Sequence, residues 1–241
     1  MKAKRSLGQN FFINSNLGGY IINVVKEEDA SSIVEIGPGT GFFTQRLIQN
    51  FKDITVVEKD TQLANTLKSQ YPNIKVLNED FLSLDLSILN KDCIYFGSLP
   101  YNVSKPIVRR IIESENFNKK SFFIVQKEVA EKYIYKEPYS SLSLTTYIYA
   151  KAKKILDISP DSFRPRPNVN SSLISFTPIE REIKDKNKLE ELISLSFKQP
   201  RKNLYNNLKG SKYEKGCIPF KTYRPAQLDL DTYIEILNHS L

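Results

Sequence analysis

The sequence predicts an α/β protein: a doubly wound, mostly parallel sheet with an antiparallel edge hairpin, followed by a small all-helical C-terminal domain. Three observations predict it. Short β-branched or aromatic runs recur at residues 31–36, 54–58, 74–77, 93–96 and 121–125, and read as buried parallel strands. Segments with helical spacing lie between them, over 43–49, over 63–69, and at Ile107, Ile111 and Ile112 after Pro106. After Tyr149 the pattern changes to two strands, 152–158 and 172–176, joined by a proline-rich link, and from about Ile183 to helical spacing alone.

The first two observations give the alternating strand–helix core. The link Ser159-Pro-Asp-Ser-Phe-Arg-Pro-Arg-Pro167 gives the hairpin a rigid, extended loop. Leu189, Leu192, Ile193 and Phe197, and then the tail from Asp229, supply the helical part. The expected division is therefore 1–180 and 181–241, with a boundary near residue 180.

Size and composition bound the reading. With 241 residues, 40% hydrophobic and 26% charged, the chain can form one sizeable core plus a small appended domain. No stretch approaches the roughly 20 apolar residues of a membrane span, and Met1-Lys-Ala-Lys-Arg5 leads into polar residues rather than a signal-peptide core. The expectation is a cytoplasmic, monomeric protein with no membrane partner. Cys93, Cys217 and His239 are the only residues of their types and have no metal-ligand spacing, so no metal site is expected. Residues 1–80 hold nine basic and nine acidic residues, so the surplus of +8 lies wholly in the later part, where an acidic partner such as nucleic acid can dock.

The glycine turn Glu35-Ile-Gly37-Pro-Gly39-Thr-Gly41 closes the first strand and opens a helix, so that the backbone can approach a ligand at the carboxyl edge of the sheet. Phe42 stands where dinucleotide spacing needs glycine, which disfavours a nicotinamide cofactor. Glu58, at the end of the second strand, is placed to grip a ribose diol, and Glu35 adds a carboxylate suited to a cationic sulfonium and an ammonium. Asp80 can accept from an adenine amino group while Phe81 offers its ring an apolar face.

Phe96-Gly-Ser98-Leu-Pro-Tyr101-Asn, at the end of the fourth strand, carries the second group of candidates. An adenine amino nitrogen is a poor nucleophile because its lone pair is delocalised. Two acceptors at its hydrogens, the Ser98 hydroxyl and a carbonyl of the Leu99-Pro100 turn, favour a more tetrahedral nitrogen. Tyr101 can stack on the base, and Phe163 can close the other face.

These segments, together with Gly8-Gln-Asn-Phe-Phe12, Val125-Gln-Lys-Glu-Val-Ala130 and Ser162-Phe-Arg-Pro-Arg-Pro-Asn-Val-Asn-Ser171, resemble the ribosomal RNA adenine dimethyltransferase family, in order and over nearly the whole chain. Phe197-Lys-Gln-Pro-Arg-Lys-Asn-Leu-Tyr-Asn-Asn-Leu208 resembles the C-terminal domain of its KsgA-type small-subunit members. The resemblance implies a Rossmann-like methyltransferase fold and S-adenosyl-L-methionine as cofactor. It also implies dimethylation of two adjacent adenosines in a hairpin near the 3′ end of 16S rRNA, in a pre-ribosomal particle.

Carried over by position, the family's cofactor contacts fall on Asn10, Phe12, Gly37, Glu58, Asp80 and Ser98, with Gln9 and Glu35 beside them. This chain departs at Ser98, where the family has Asn, and at Pro200, in place of the first Arg of the C-terminal motif. Lys105, Arg109, Arg110, Arg164, Arg166, Arg201 and Lys202 are the candidate phosphate contacts. Two other readings stay open: a non-catalytic RNA-binding assembly factor of the same fold, and a methyltransferase of the macrolide-resistance type acting on large-subunit RNA.

Overall fold

The computed structural model describes residues 9–240; Gly8 of the N-terminal motif and the basic segment Met1 to Arg5 lie outside the described residues. In chain order the elements are β1 (Phe11–Phe12), α1 (Ser15–Val25), β2 (Ser32–Ile36), α2 (Thr44–Leu47), β3 (Asp53–Val57), α3 (Thr61–Gln70), β4 (Lys75–Leu77), β5 (Cys93–Ser98), α4 (Ser104–Ile112), β6 (Ser121–Gln126), α5 (Lys127–Tyr133), α6 (Ser141–Thr146), β7 (Ala150–Ile158), β8 (Phe163–Arg164), β9 (Ser171–Pro178), α7 (Lys186–Ser196), α8 (Leu204–Leu208) and α9 (Leu230–Asn238).

Seven strands form one sheet in the order β4-β3-β2-β5-β6-β9-β7. From β4 to β6 every pairing is parallel, and β9 then runs antiparallel to β6 with Gln126 opposite Ser171. Strands β2 and β5 are buried at nearly every residue, which is why their runs carry Ile, Val, Tyr and Phe without alternation. All five predicted parallel strands are present, and the predicted edge pair is β7 and β9.

The strand order reverses between β2 and β5: the chain leaves β2 toward β3 and returns on its other side as β5. The loops after these two strands therefore diverge and leave a crevice at their carboxyl ends. Gly97 brings the strands close there, because a Cβ at this position would lie 2.5 Å from the Ile36 carbonyl oxygen.

A two-stranded ribbon was not legible in the sequence. Strand β1 pairs antiparallel with β8, Phe11 opposite Arg164 and Phe12 opposite Phe163. Phe12 turns into the core, with ring centroids 5.2, 4.9 and 5.2 Å from Phe42, Phe43 and Phe163. Burying one such ring contributes about 2–3 kcal/mol, so the pair Phe11-Phe12 commits its second member inward.

The expected division at residue 180 needs correction. One compact unit comprises the described residues to Glu131 together with Lys153–Pro178; the other comprises Lys132–Ala152 and the residues from Ile179 onward. Residues 132–152 belong with the helices because Leu144 and Ile148, one helical turn apart, are fully buried in the same cluster as Leu189, Leu192, Tyr233 and Ile236. Tyr135 also stacks on Tyr147 at 3.8 Å and accepts the Leu230 N–H at 2.8 Å. In this unit Asp185 and Asp229 cap α7 and α9 with their side chains.

Gly97→Ala is expected to destabilise the fold by about 1–3 kcal/mol, because the clash is with backbone rather than a movable side chain. Urea unfolding measures it, and an unchanged midpoint would show that β2 and β5 have room to part.

Candidate active site

A cavity opens at the β2/β5 crevice, lined by the N-terminal segment, the glycine turn, the ends of β3 and β4, the turn after β5, and Phe163. All of these lie in the first unit.

The glycine turn and β3 are joined by hydrogen bonds. The Gly37 N–H donates to the Val57 carbonyl at 2.9 Å, and the Gly39 N–H to Glu58 Oε2 at 3.1 Å. Glu58 Oε1 accepts the Asp60 N–H at 2.8 Å, and Asp60 in turn caps α3. Gly39 sits at φ +58, and a Cβ there would press 2.9 Å from the Phe11 ring, whereas space over Gly37 is open. Burial raises the Glu58 pKa, opposed by the N–H groups of Asp60 and Gly39. The carboxylate keeps acceptor capacity for a ligand hydroxyl.

Asp80 lies on the rim. Its Oδ2 accepts from Lys59 Nζ at 2.8 Å and its Oδ1 from the Leu82 N–H at 3.0 Å, and these bonds, the Lys59 one foremost, hold its carboxyl below the usual range. Phe81, almost fully buried against Tyr95, supplies an apolar wall. The residues thus fit a nucleoside: a buried carboxylate, a second carboxylate on the rim, an apolar wall and a glycine-rich loop.

On the opposite lip, Ser98 ends β5 half-buried and faces the cavity. Leu99 contributes its backbone, since its side chain is buried and its N–H donates to the Ile124 carbonyl at 3.1 Å. The Pro100 carbonyl accepts the Val103 N–H at 3.1 Å, which folds the turn and presents Tyr101 to the cavity.

Of the predicted site residues, Gln9, Asn10, Gly37, Gly39, Glu58, Asp80, Phe81, Ser98, Leu99, Pro100, Tyr101 and Phe163 line this one cavity. Three expectations are corrected. Glu35 does not reach it: strand alternation turns the carboxylate away from the side on which Ile36 lines the cavity, and it accepts from Thr44 Oγ1 at 2.6 Å, fully buried. Phe12 is replaced by Phe11, for the same reason of alternation. Phe163 is only 1% exposed behind Phe12, so it is a wall rather than an open stacking face. Lys59, Asn102 and Val103 were missed, although Lys59 and Asn102 directly follow predicted site residues.

The candidate phosphate contacts divide. Lys105 and Arg164 are exposed; Arg109 and Arg166 are exposed but paired with Glu113 at 2.6 Å and Asp161 at 2.7 Å. Arg110 is the exception: its guanidinium turns inward to the Leu84 carbonyl at 2.5 Å, a structural tie in place of the expected surface contact. In the second unit, Arg201 and Lys202 are exposed, with no ion pair among the described residues.

Comparisons with known proteins agree in direction. A family model described as ribosomal RNA adenine dimethylase matches residues 1–224. Among curated proteins, the ribosomal RNA small subunit methyltransferase A of Malacoplasma penetrans is 35% identical, covering 97% of this chain and 90% of its own length. The protein of the same name from Francisella tularensis is 33% identical, covering 98% and 97%. Among solved structures, a dimethyladenosine transferase from Plasmodium falciparum superposes with a TM-score of 0.82 at 21% identity, over 95% of this chain and 96% of that one. The 23S rRNA methyltransferase ErmE superposes with 0.73 at 20%, over 95% and 99%. At these identities the two structures speak to the fold alone.

Burial raises the Glu35 pKa to about 8, the Thr44 hydrogen bond opposing and Glu58 adding to it. The folded state therefore keeps a proton that the unfolded chain releases near 4.5, and stability falls as pH rises between these values. Glu35→Gln keeps an acceptor for Thr44 and cannot ionise. Its melting temperature is expected to decline less than the wild type's from pH 5 to pH 8, and parallel declines would contradict the assignment.

Proposed function

The chain belongs to the ribosomal RNA adenine dimethylase family, and from that premise we propose which adenines it modifies and which residues act. It is an S-adenosylmethionine-dependent methyltransferase that dimethylates adenine in ribosomal RNA. We assign its substrate as two adjacent adenosines in a hairpin near the 3′ end of 16S rRNA, within a pre-ribosomal particle. The small-subunit relatives, similar along nearly their whole length, support this choice over large-subunit RNA. The observation that carries the chemistry is the convergence of Glu58 and Asp80 with the Ser98–Tyr101 turn on one cavity.

Bound S-adenosylmethionine supplies an electrophilic methyl group, so the protein's task is positioning rather than strong base catalysis. In this reading Glu58 holds the ribose hydroxyls, Asp80 accepts from the cofactor's adenine amino group, and Phe81 packs against that ring. The Pro100 carbonyl is turned into the loop toward the Val103 N–H, and we assign the Leu99 carbonyl and Ser98 Oγ as the acceptors for the target amino group. They draw its hydrogens out of the ring plane and free the nitrogen lone pair for in-line attack. Tyr101 stacks on the flipped base, which leaves its neighbours more easily from a loop than from a duplex. Serine at 98 keeps an acceptor but lacks the amide's reach and donor, so the hydroxyl and the Leu99 carbonyl carry the contact alone.

Incubation with labelled S-adenosylmethionine and immature small subunits, with large-subunit RNA offered in parallel, is expected to yield N6,N6-dimethyladenosine on nucleoside analysis of the small-subunit RNA alone. Labelling of large-subunit RNA instead would favour the resistance-type reading. RNA binding without transfer would leave a non-catalytic assembly factor. Changing Arg201 and Lys202 to Ala is expected to weaken RNA binding and lower its salt slope by roughly one to two units while sparing cofactor affinity. An unaltered slope would remove them from the interface.

A further inference from the structure

Tyr101 is held at both ends. On the backbone side, Ser104 Oγ donates to its carbonyl at 3.2 Å. At the far end of the ring, the phenol oxygen lies 2.7 Å from Ser171 Oγ. Ser171 is fully buried and begins β9, opposite Gln126 of β6.

The residues on either side of Ser171 are fixed as well. The Asn170 carbonyl accepts the Lys127 N–H at 2.9 Å. Ser172 Oγ donates to Asp157 at 2.7 Å, and that carboxylate is paired with Lys127 Nζ at 2.7 Å. A hydroxyl anchored in this way cannot follow the ring; the ring must follow it. Burial raises the phenol's pKa, opposed only by the Ser171 bond, so the hydroxyl stays protonated and is a tether rather than a base.

We infer that Ser171 is a positioning residue for methyl transfer: its hydroxyl fixes the plane of the Tyr101 ring on which the target adenine stacks. The inference rests on the adenine-methylating reading above. Phe163, buried behind Phe12, supplies no equivalent open face, so the ring of the Ser98–Tyr101 turn is the one assigned to the target base. Small displacements of a positioned reactant are known to cost large factors in rate.

Full-length wild type, Ser171→Ala, Ser171→Thr, Tyr101→Phe and the double variant Ser171→Ala/Tyr101→Phe would be compared. The readouts are kcat and KM on small-subunit RNA, and the S-adenosylmethionine Kd by calorimetry. Ser171→Ala is expected to lower kcat by roughly ten- to a hundredfold while leaving the cofactor Kd unchanged. Tyr101→Phe removes the same bond without touching the buried strand, and should match it. The double variant should be no worse than either single one, and Ser171→Thr should restore turnover. Wild-type kcat in Ser171→Ala, multiplying losses in the double variant, or a cofactor Kd that worsens in step with kcat would each overturn the assignment. If the wild type itself transfers no methyl group, the adenine reading falls and the Ser171 role with it; if only the variants behave like wild type, the reading stands and Ser171 alone is rejected.

Discussion

Two backbone N–H groups, from Gly39 on the loop after β2 and from Asp60 at the cap of α3, converge on the Glu58 carboxylate at 3.1 and 2.8 Å. The Gly39 bond ties the glycine turn to the residue after β3, beside the bond from the Gly37 N–H to the Val57 carbonyl at 2.9 Å. The acceptor shared by Gly39 and Asp60 holds the glycine turn against the end of β3 and so fixes one edge of the cavity. Glu58 is 5% exposed, so the two bonds replace most of the water that a carboxylate would keep. A ligand hydroxyl at the remaining lone pairs would complete a set that the fold has already begun.

Everything else at the site is arranged around that fixed edge. Gly97 lets β5 approach β2 closely, which brings Ser98 and Tyr101 into the cavity opposite Glu58. Gly39, without a side chain, makes room for Phe11, and Phe12 on the other side of the same ribbon locks the N-terminal segment onto the core. Local chemistry and global topology agree here: the switch point supplies the crevice, and the loop residues supply its acceptors.

The sequence made the sheet legible because parallel strands buried on both faces are runs of one character, as at Cys93–Ser98. It also pointed to most of the cavity, since a glycine turn, an acidic residue ending β3 and the Ser98–Tyr101 turn each fall at a strand's carboxyl end. Side-chain direction along the strands accounts for the two residues that differ from expectation at the cavity. Alternation along β2 sends Glu35 to Thr44, and alternation along β1 gives the cavity Phe11 instead of Phe12. Long-range pairings were the other gap. Nothing local at Phe11 announces its partner Arg164, and nothing local at Leu144 announces a core shared with Ile236. Arg110 stands in a basic stretch with Lys105 and Arg109, yet its side chain bends inward to Leu84.

We assign Glu58 two roles, closing the loop and receiving the cofactor's ribose. Isothermal titration of S-adenosylmethionine into wild type and Glu58→Ala tests the second most directly. A charged or charge-assisted hydrogen-bond pair at a buried site is worth about 1.5–3 kcal/mol, so a Kd weakened by roughly ten- to a hundredfold is expected in a variant that stays folded. An unchanged Kd would contradict it and place the cofactor elsewhere on the sheet edge.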